Sequence, residues 1–223
     1  LISYYFNSTF LGYYSLCIMV LSIPSTFLIS SIMEAFLPRA ADAKHKGTHA
    51  ELLLNVNERV TSLALYPFIV LGFFGEDIFE IAFGPNWLEA GKIIQILILK
   101  TFFEIIFVPT MSFINVIQKQ ELSLLRRVFN VFSVVFALTI GGFYESFYLA
   151  MFLLAMCEGI SIAITSLFLM HLIKFSVHKL LKKIAPYFIV SSLLAIIIYF
   201  AKIYLSQITY LLIIVVILTV LIC

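Results

Sequence analysis

Charge is scarce in this chain of 223 residues. Asp, Glu, Lys and Arg make up 12% of it, against 63% apolar residues and a mean hydropathy of +1.12. That excludes a soluble domain, whose composition is about half apolar and about a quarter charged. The surplus apolar surface has to face lipid, so the chain reads as an integral membrane protein. Cysteine is sparse too. Cys17, Cys157 and Cys223 are scattered through apolar runs with no ligand spacing, as buried or lipid-facing thiols are. The start "LISYYFNSTF" lacks a basic n-region and a small-residue cleavage site, so no signal peptide is visible. A His/Glu metal pair at helix spacing, a nucleophile elbow and a glycine-rich phosphate loop are all lacking. No enzyme activity, cofactor or metal is therefore expected. No tandem repeat is visible. The chain lacks an initiating Met and ends at Ile222-Cys223 within an apolar run, which predicts a fragment of a longer polypeptide.

What the chain has in abundance is apolar runs. A helix crosses the hydrocarbon core in about 20 residues. The sequence offers seven such spans, at 11–37, 56–74, 93–116, 122–141, 147–173, 184–201 and 207–223, predicting an all-α multi-span helical bundle. The first and fifth are longer than needed and are expected to tilt or emerge from the membrane. Pro24, Pro67 and Pro109 fall inside spans and predict kinks, whereas Pro186 sits in a first turn, where it costs little.

Basic residues alternate loop by loop. Arg39, Lys44, Lys46 and Arg59 flank the first loop, and Lys119, Arg126 and Arg127 the third. Lys174, Lys179, Lys182 and Lys183 fill the fifth. The second loop sets Glu76, Asp77, Glu80 and Glu89 against Lys92 alone; the fourth has Glu145 and no base; the sixth has only Lys202. The positive-inside rule makes the odd loops cytoplasmic, with residues 1–10 outside and the C-terminal end inside. His45, His49, His171 and His178 read as polar residues beside the cytoplasmic loops. The second loop, "GEDIFEIAFGPNWLEAGK", predicts a short interfacial helix over 76–83, a turn at Gly84-Pro85-Asn86, and re-entry at Gly91. Its adjacent acids Glu76 and Asp77 read as a solvated face rather than a glycosyl-transfer pair.

Charges inside spans cost about 3 kcal/mol each at the bilayer centre, so they mark a cavity or a partner. Lys100 lies roughly 10 Å inside its span, within snorkelling reach. Glu104, four residues on, shares its helix face and is placed to pair with it. Met111 and Asn115 continue that face. The pair fits either a packed helix contact or a cavity-facing site. Glu158 sits near the middle of span 147–173, too deep to snorkel, with Ser161 and Thr165 on its face. That stripe fits an inter-helix seam held by Ser and Thr hydrogen bonds, or a cavity wall bearing a titratable carboxylate. In the first span Ser15, Ser22, Thr26 and Ser30 form a further stripe beside Pro24. It suits either a helix bordering a water-filled path or ordinary packing.

Three stretches carry a family resemblance. "LGYYSLCIMVLSIPSTFLISSIMEAFLPRAAD" (11–42) resembles the helix after the domain boundary in polysaccharide exporters of the multidrug/oligosaccharidyl-lipid/polysaccharide superfamily, which runs from Gly-Tyr-Tyr-Ser to Pro-Arg. "IAFGPNWLEAGKIIQIL" (81–97) resembles the Phe-Gly-x-x-Trp/Tyr-x-x-Ala turn of the same family. "NVIQKQELSLLRRVFNVFS" (115–133) resembles its short basic loop, with Gln118-Lys119-Gln120 in place of the usual glycine. The resemblance covers nearly the whole chain.

It implies one lobe of a two-lobed MATE-like exporter, corresponding to helices 8–14 of fourteen, with helices 1–7 in an absent N-terminal lobe. It implies a bacterial inner-membrane flippase for undecaprenyl-pyrophosphate-linked oligosaccharide, serving O-antigen, capsule or exopolysaccharide synthesis by alternating access. H+ or Na+ coupling, a polysaccharide polymerase and a chain-length regulator are the partners that follow, besides the bilayer itself; nucleic acid is not one. Glu158, Glu104, Lys100, Asn115, Ser161, Thr165, Ser22 and Thr26 are then the cavity candidates. A cation-coupled multidrug exporter of the same superfamily remains an alternative. A multispan glycosyltransferase or polymerase is a third reading, against which the short loops count.

Overall fold

A computed structural model describes residues 2–204, the side chains at 24, 25, 27–32 and 201–204 excepted. The expected span 207–223 and the side chain of Ser30 lie outside the described residues. Helices carry the chain in the order α1 (Ile2–Tyr5), α2 (Ser8–Lys46), α3 (His49–Phe83), a 3-10 turn (Pro85–Trp87), α4 (Leu88–Val116), α5 (Gln120–Phe143), α6 (Phe147–Leu172) and α7 (Val177–Tyr204). No strand occurs among the described residues. The stretches 11–37, 56–74, 93–116 and 122–141 lie within α2 to α5 in turn; 147–173 takes in α6 and one residue beyond, and 184–201 lies within α7.

Local chemistry sets the helix ends. Asn7, in extended backbone, caps α2 by accepting the Phe10 N–H at 2.9 Å, and Ser146 caps α6 by accepting from Leu149. α2 closes on Gly47 at φ 72°, which turns the chain straight into α3. Lys44 Nζ donates to the Val116 carbonyl at 3.0 Å, placing a cation on the carbonyl end of α4. α2 and α3 have 39 and 35 residues. At 1.5 Å per residue they run roughly 58 and 52 Å, longer than the hydrocarbon core of about 30 Å.

One local expectation changes. The helices continue through Pro24, Pro67 and Pro109, and the departure from helical backbone in α3 falls at Phe74 (φ −121°, ψ 18°). The stretch 76–83 is the short helical segment beyond that break, as expected, and it ends at the turn of Gly84, Pro85 and Asn86. α4 begins at Leu88 and already runs as helix at Gly91.

The break lets the end of α3 fold against the start of α4 at very short range. A Cβ on Gly91 would lie 2.5 Å from Glu76 Cα, and one on Gly75 would lie 2.7 Å from the Gly91 carbonyl oxygen. Only paired glycines admit that crossing.

α4 is the central helix, touching α2, α3, α5 and α6, while α5 lies on α6 and α7 on α3. Ala90, Ile93, Ile94, Leu97, Thr101 and Ile105 recur every three or four residues and are buried, the spacing of one inward face. The outer faces of α5 and α7 are apolar and exposed, as Leu125, Phe132 and Ile197 show at 68%, 69% and 62%. Such faces suit hydrocarbon rather than water. Five stretches (His49–Phe83, Pro85–Val116, Gln120–Phe143, Phe147–Leu172 and Val177–Phe200) are long and apolar enough to cross a bilayer. The molecule is an all-helical, multi-pass membrane bundle.

Candidate functional site

Four ionisable side chains of the spans, Lys100, Glu104, Arg126 and Glu158, lie on α4, α5 and α6. Lys100 extends across the α4–α6 seam, and its Nζ donates to Glu158 Oε2 at 2.7 Å, with the two side chains 13% and 14% exposed. Lys100 thus bonds to the neighbouring helix, not to Glu104 on its own helix as the spacing suggested. The seam is narrow beside it: a Cβ on Gly159 would lie 2.8 Å from the Phe103 ring. The close approach of α6 to α4 brings the carboxylate within direct reach of the lysine. Tyr14, on α2, lies within electrostatic range of Lys100, Glu158 and Glu104.

Glu104 faces another way. It lines a cavity of about 340 Å³ together with Ser112 and Asn115 of α4 and Ser123 and Arg126 of α5. Within this cluster it is under the charge of Lys100, Glu158 and Arg126. One ion pair, Lys100 with Glu158, thus lies beside a cavity that holds Glu104 and Arg126. Arg126 also borders a second, largely apolar groove of about 470 Å³ between α5 and α6, lined by Leu125, Phe129, Ser161, Ile164, Thr165 and Phe168 among others. Thr165 Oγ1 donates to the Ser161 carbonyl at 2.8 Å, which settles its hydroxyl within its own helix.

Lys100, Glu104 and Glu158 are thus brought together. Asn115 joins Glu104 on the polar cavity, and Ser161 and Thr165 join Arg126 on the groove. Ser22 and Thr26 stand exposed on α2, with Ser22 Oγ donating back to the Met19 carbonyl.

Two residues of the site were not singled out from sequence. Tyr14 carries no local signal. Arg126 does: Ser123, Arg126, Asn130 and Ser133 follow at steps of three, four and three, one face of a helix. Reading Arg126 as a loop charge hid that stripe. In the structure Arg126 Nε and Asn130 Oδ1 are buried without a hydrogen-bond partner among the described residues. His49, read as a loop histidine, stacks on Phe113 with centroids 5.7 Å apart, and its Nε2 lies 3.2 Å from the Ile173 carbonyl. It ties the start of α3 to the ends of α4 and α6.

A desolvated ion pair beside a polar cavity and an apolar groove suits binding of an amphiphilic, charged molecule. Among the described residues no group of His, Cys, Asp and Glu is placed to hold a metal ion.

Residues 1–92 match the family described as "polysaccharide biosynthesis protein". That match is consistent with a polysaccharide biosynthesis or flippase family, and it supports a role in polysaccharide biosynthesis or transport. No curated protein and no solved structure matches the chain significantly.

Proposed function

With the polysaccharide-biosynthesis match over residues 1–92 as the premise, we propose that this chain forms one lobe of a flippase for undecaprenyl-pyrophosphate-linked oligosaccharide. It carries the sugar headgroup from the cytoplasmic to the outer leaflet of the bacterial inner membrane by alternating access, without making or breaking covalent bonds. The observation behind this reading is the charge inside the bundle. Lys100 pairs with Glu158 between α4 and α6, and Glu104 and Arg126 line one cavity, in helices whose outer faces are apolar. Ionisable groups within membrane spans are expensive and mark substrate or ion pathways.

The residues divide the work. The polar cavity shields the headgroup while the hydrocarbon tail stays in the bilayer. Glu158, held by Lys100, is the candidate for H+ or Na+ coupling, since any proton or cation arriving there competes with the lysine. A polymerase and a chain-length regulator would take up the product on the outer side.

The test is a deletion strain carrying the restored full gene or the empty vector. Without the gene, complete lipid-linked units should accumulate on the cytoplasmic face. Units that reach the outer face but stay unpolymerised would replace this reading with that of a polymerase.

A further inference from the structure

We infer that the α5–α6 seam is a binding site for a phosphorylated polyprenyl lipid, with the phosphate at Arg126 and the phosphate-proximal hydrocarbon along Leu125, Phe129, Ile164 and Phe168. The inference rests on the flippase reading and places that lipid on this lobe. Three observations carry it.

The first is continuity. Arg126 lines both the polar cavity of about 340 Å³ and the apolar groove of about 470 Å³, so one occupant can be polar at one end and apolar along the other. The second is an unmet need. Arg126 Nε is buried with no hydrogen-bond partner among the described residues, and a planar guanidinium is matched to phosphate oxygens. The third is position. Arg126 lies six residues into α5, roughly 9 Å along its axis, at the end where positive charge predicts the cytoplasmic leaflet. A lipid-linked substrate loads from that leaflet.

The groove walls are exposed, with Leu125 at 68%, Ile164 at 63% and Phe168 at 50%. An apolar helix laid there would cover Arg126 without supplying an anion; a lipid phosphate supplies one. Glu104 occupies the same cavity as a competing negative charge, so it restrains phosphate binding rather than assisting it.

The test measures binding of undecaprenyl phosphate, undecaprenol and inorganic phosphate to the purified full-length protein in detergent. Arg126→Gln should weaken undecaprenyl phosphate binding about tenfold or more, the loss of a charge-assisted hydrogen bond. Arg126→Lys should retain part of the affinity, and Glu104→Gln should raise it. Ile164→Trp, which fills the groove, should weaken the lipid but not inorganic phosphate. Undecaprenol should bind the wild type no better than undecaprenyl phosphate binds Arg126→Gln.

Unchanged affinity in Arg126→Gln would overturn the site. Equal binding of undecaprenol would remove the phosphate contact, and equal binding of inorganic phosphate would remove the lipid. If Arg126→Gln does not fold, Arg126→Lys and Ile164→Trp decide the matter. Intact Arg126-dependent binding, with lipid-linked units still reaching the outer face in the deletion strain, would sink the flippase reading and leave the site. Lipid-linked units trapped inside in that strain, with binding indifferent to Arg126, would do the reverse.

Discussion

Glu158 stands eleven residues beyond the start of α6, about 17 Å along the axis, and its carboxylate is held by Lys100 from α4 at 2.7 Å. Removing one partner of a buried pair leaves the other charge uncompensated, which costs about 3–5 kcal/mol. Lys100→Ala and Glu158→Ala should therefore each lower thermal stability in detergent markedly. Lys100→Ala combined with Glu158→Ala should cost much less than the two single changes added. Strict additivity would show that the pair is not coupled. Both residues stood out in the sequence as charges inside apolar runs, but their pairing did not. Spacing along one helix put Lys100 beside Glu104, whereas the adjacency of α4 and α6 is tertiary. Arg126 was the reverse case. Its helical stripe is written in the sequence, and its position near a basic loop masked it.

At the scale of the element, the α3–α4 crossing depends on backbone contact at Gly75 and Gly91. Gly91→Ala should destabilise by about 1–3 kcal/mol, because its Cβ meets the backbone of Glu76 and the helices must part. Gly12→Ala on α2 has open space around it and should be neutral or slightly stabilising. Comparing the two melting temperatures checks the crossing, and equal effects would contradict it. The helices themselves were legible from apolar runs and turn residues. The break at Phe74 falls where the expected span 56–74 ends and Gly75 opens the next stretch, whereas Pro67, where a kink was expected, lies seven residues earlier. The length of α2 was foreshadowed by its long apolar span, but the reach of α3 beyond the hydrocarbon thickness was hidden. Polar residues at a helix end look like loop when hydropathy alone is read.

For the whole molecule, the alternation of basic and acidic loops predicts an orientation that labelling can check. Single cysteines placed at Asp77 or Glu145, in a background without the native cysteines, should react with an impermeant thiol reagent from outside intact cells. Cysteines at Lys119 or Lys179 should react only after permeabilisation. Reaction of all four from outside would remove the expected topology. The bundle architecture was legible at this scale because lipid demands closed hydrogen bonding within each span. The grouping of the charges was not, since it depends on which helices are neighbours.

The most direct measurement reconstitutes the full-length protein in liposomes and follows a fluorescent undecaprenyl-pyrophosphate-linked oligosaccharide by its accessibility to an external quencher. Wild type should move the lipid between leaflets well above protein-free vesicles, and Glu158→Gln at matched incorporation should slow it about tenfold or more, the loss of at least one charge-assisted contact. Wild-type vesicles no faster than empty ones would contradict lipid flipping by this protein. Full activity in both Glu158→Gln and Lys100→Ala would contradict a transport role for the charged cluster.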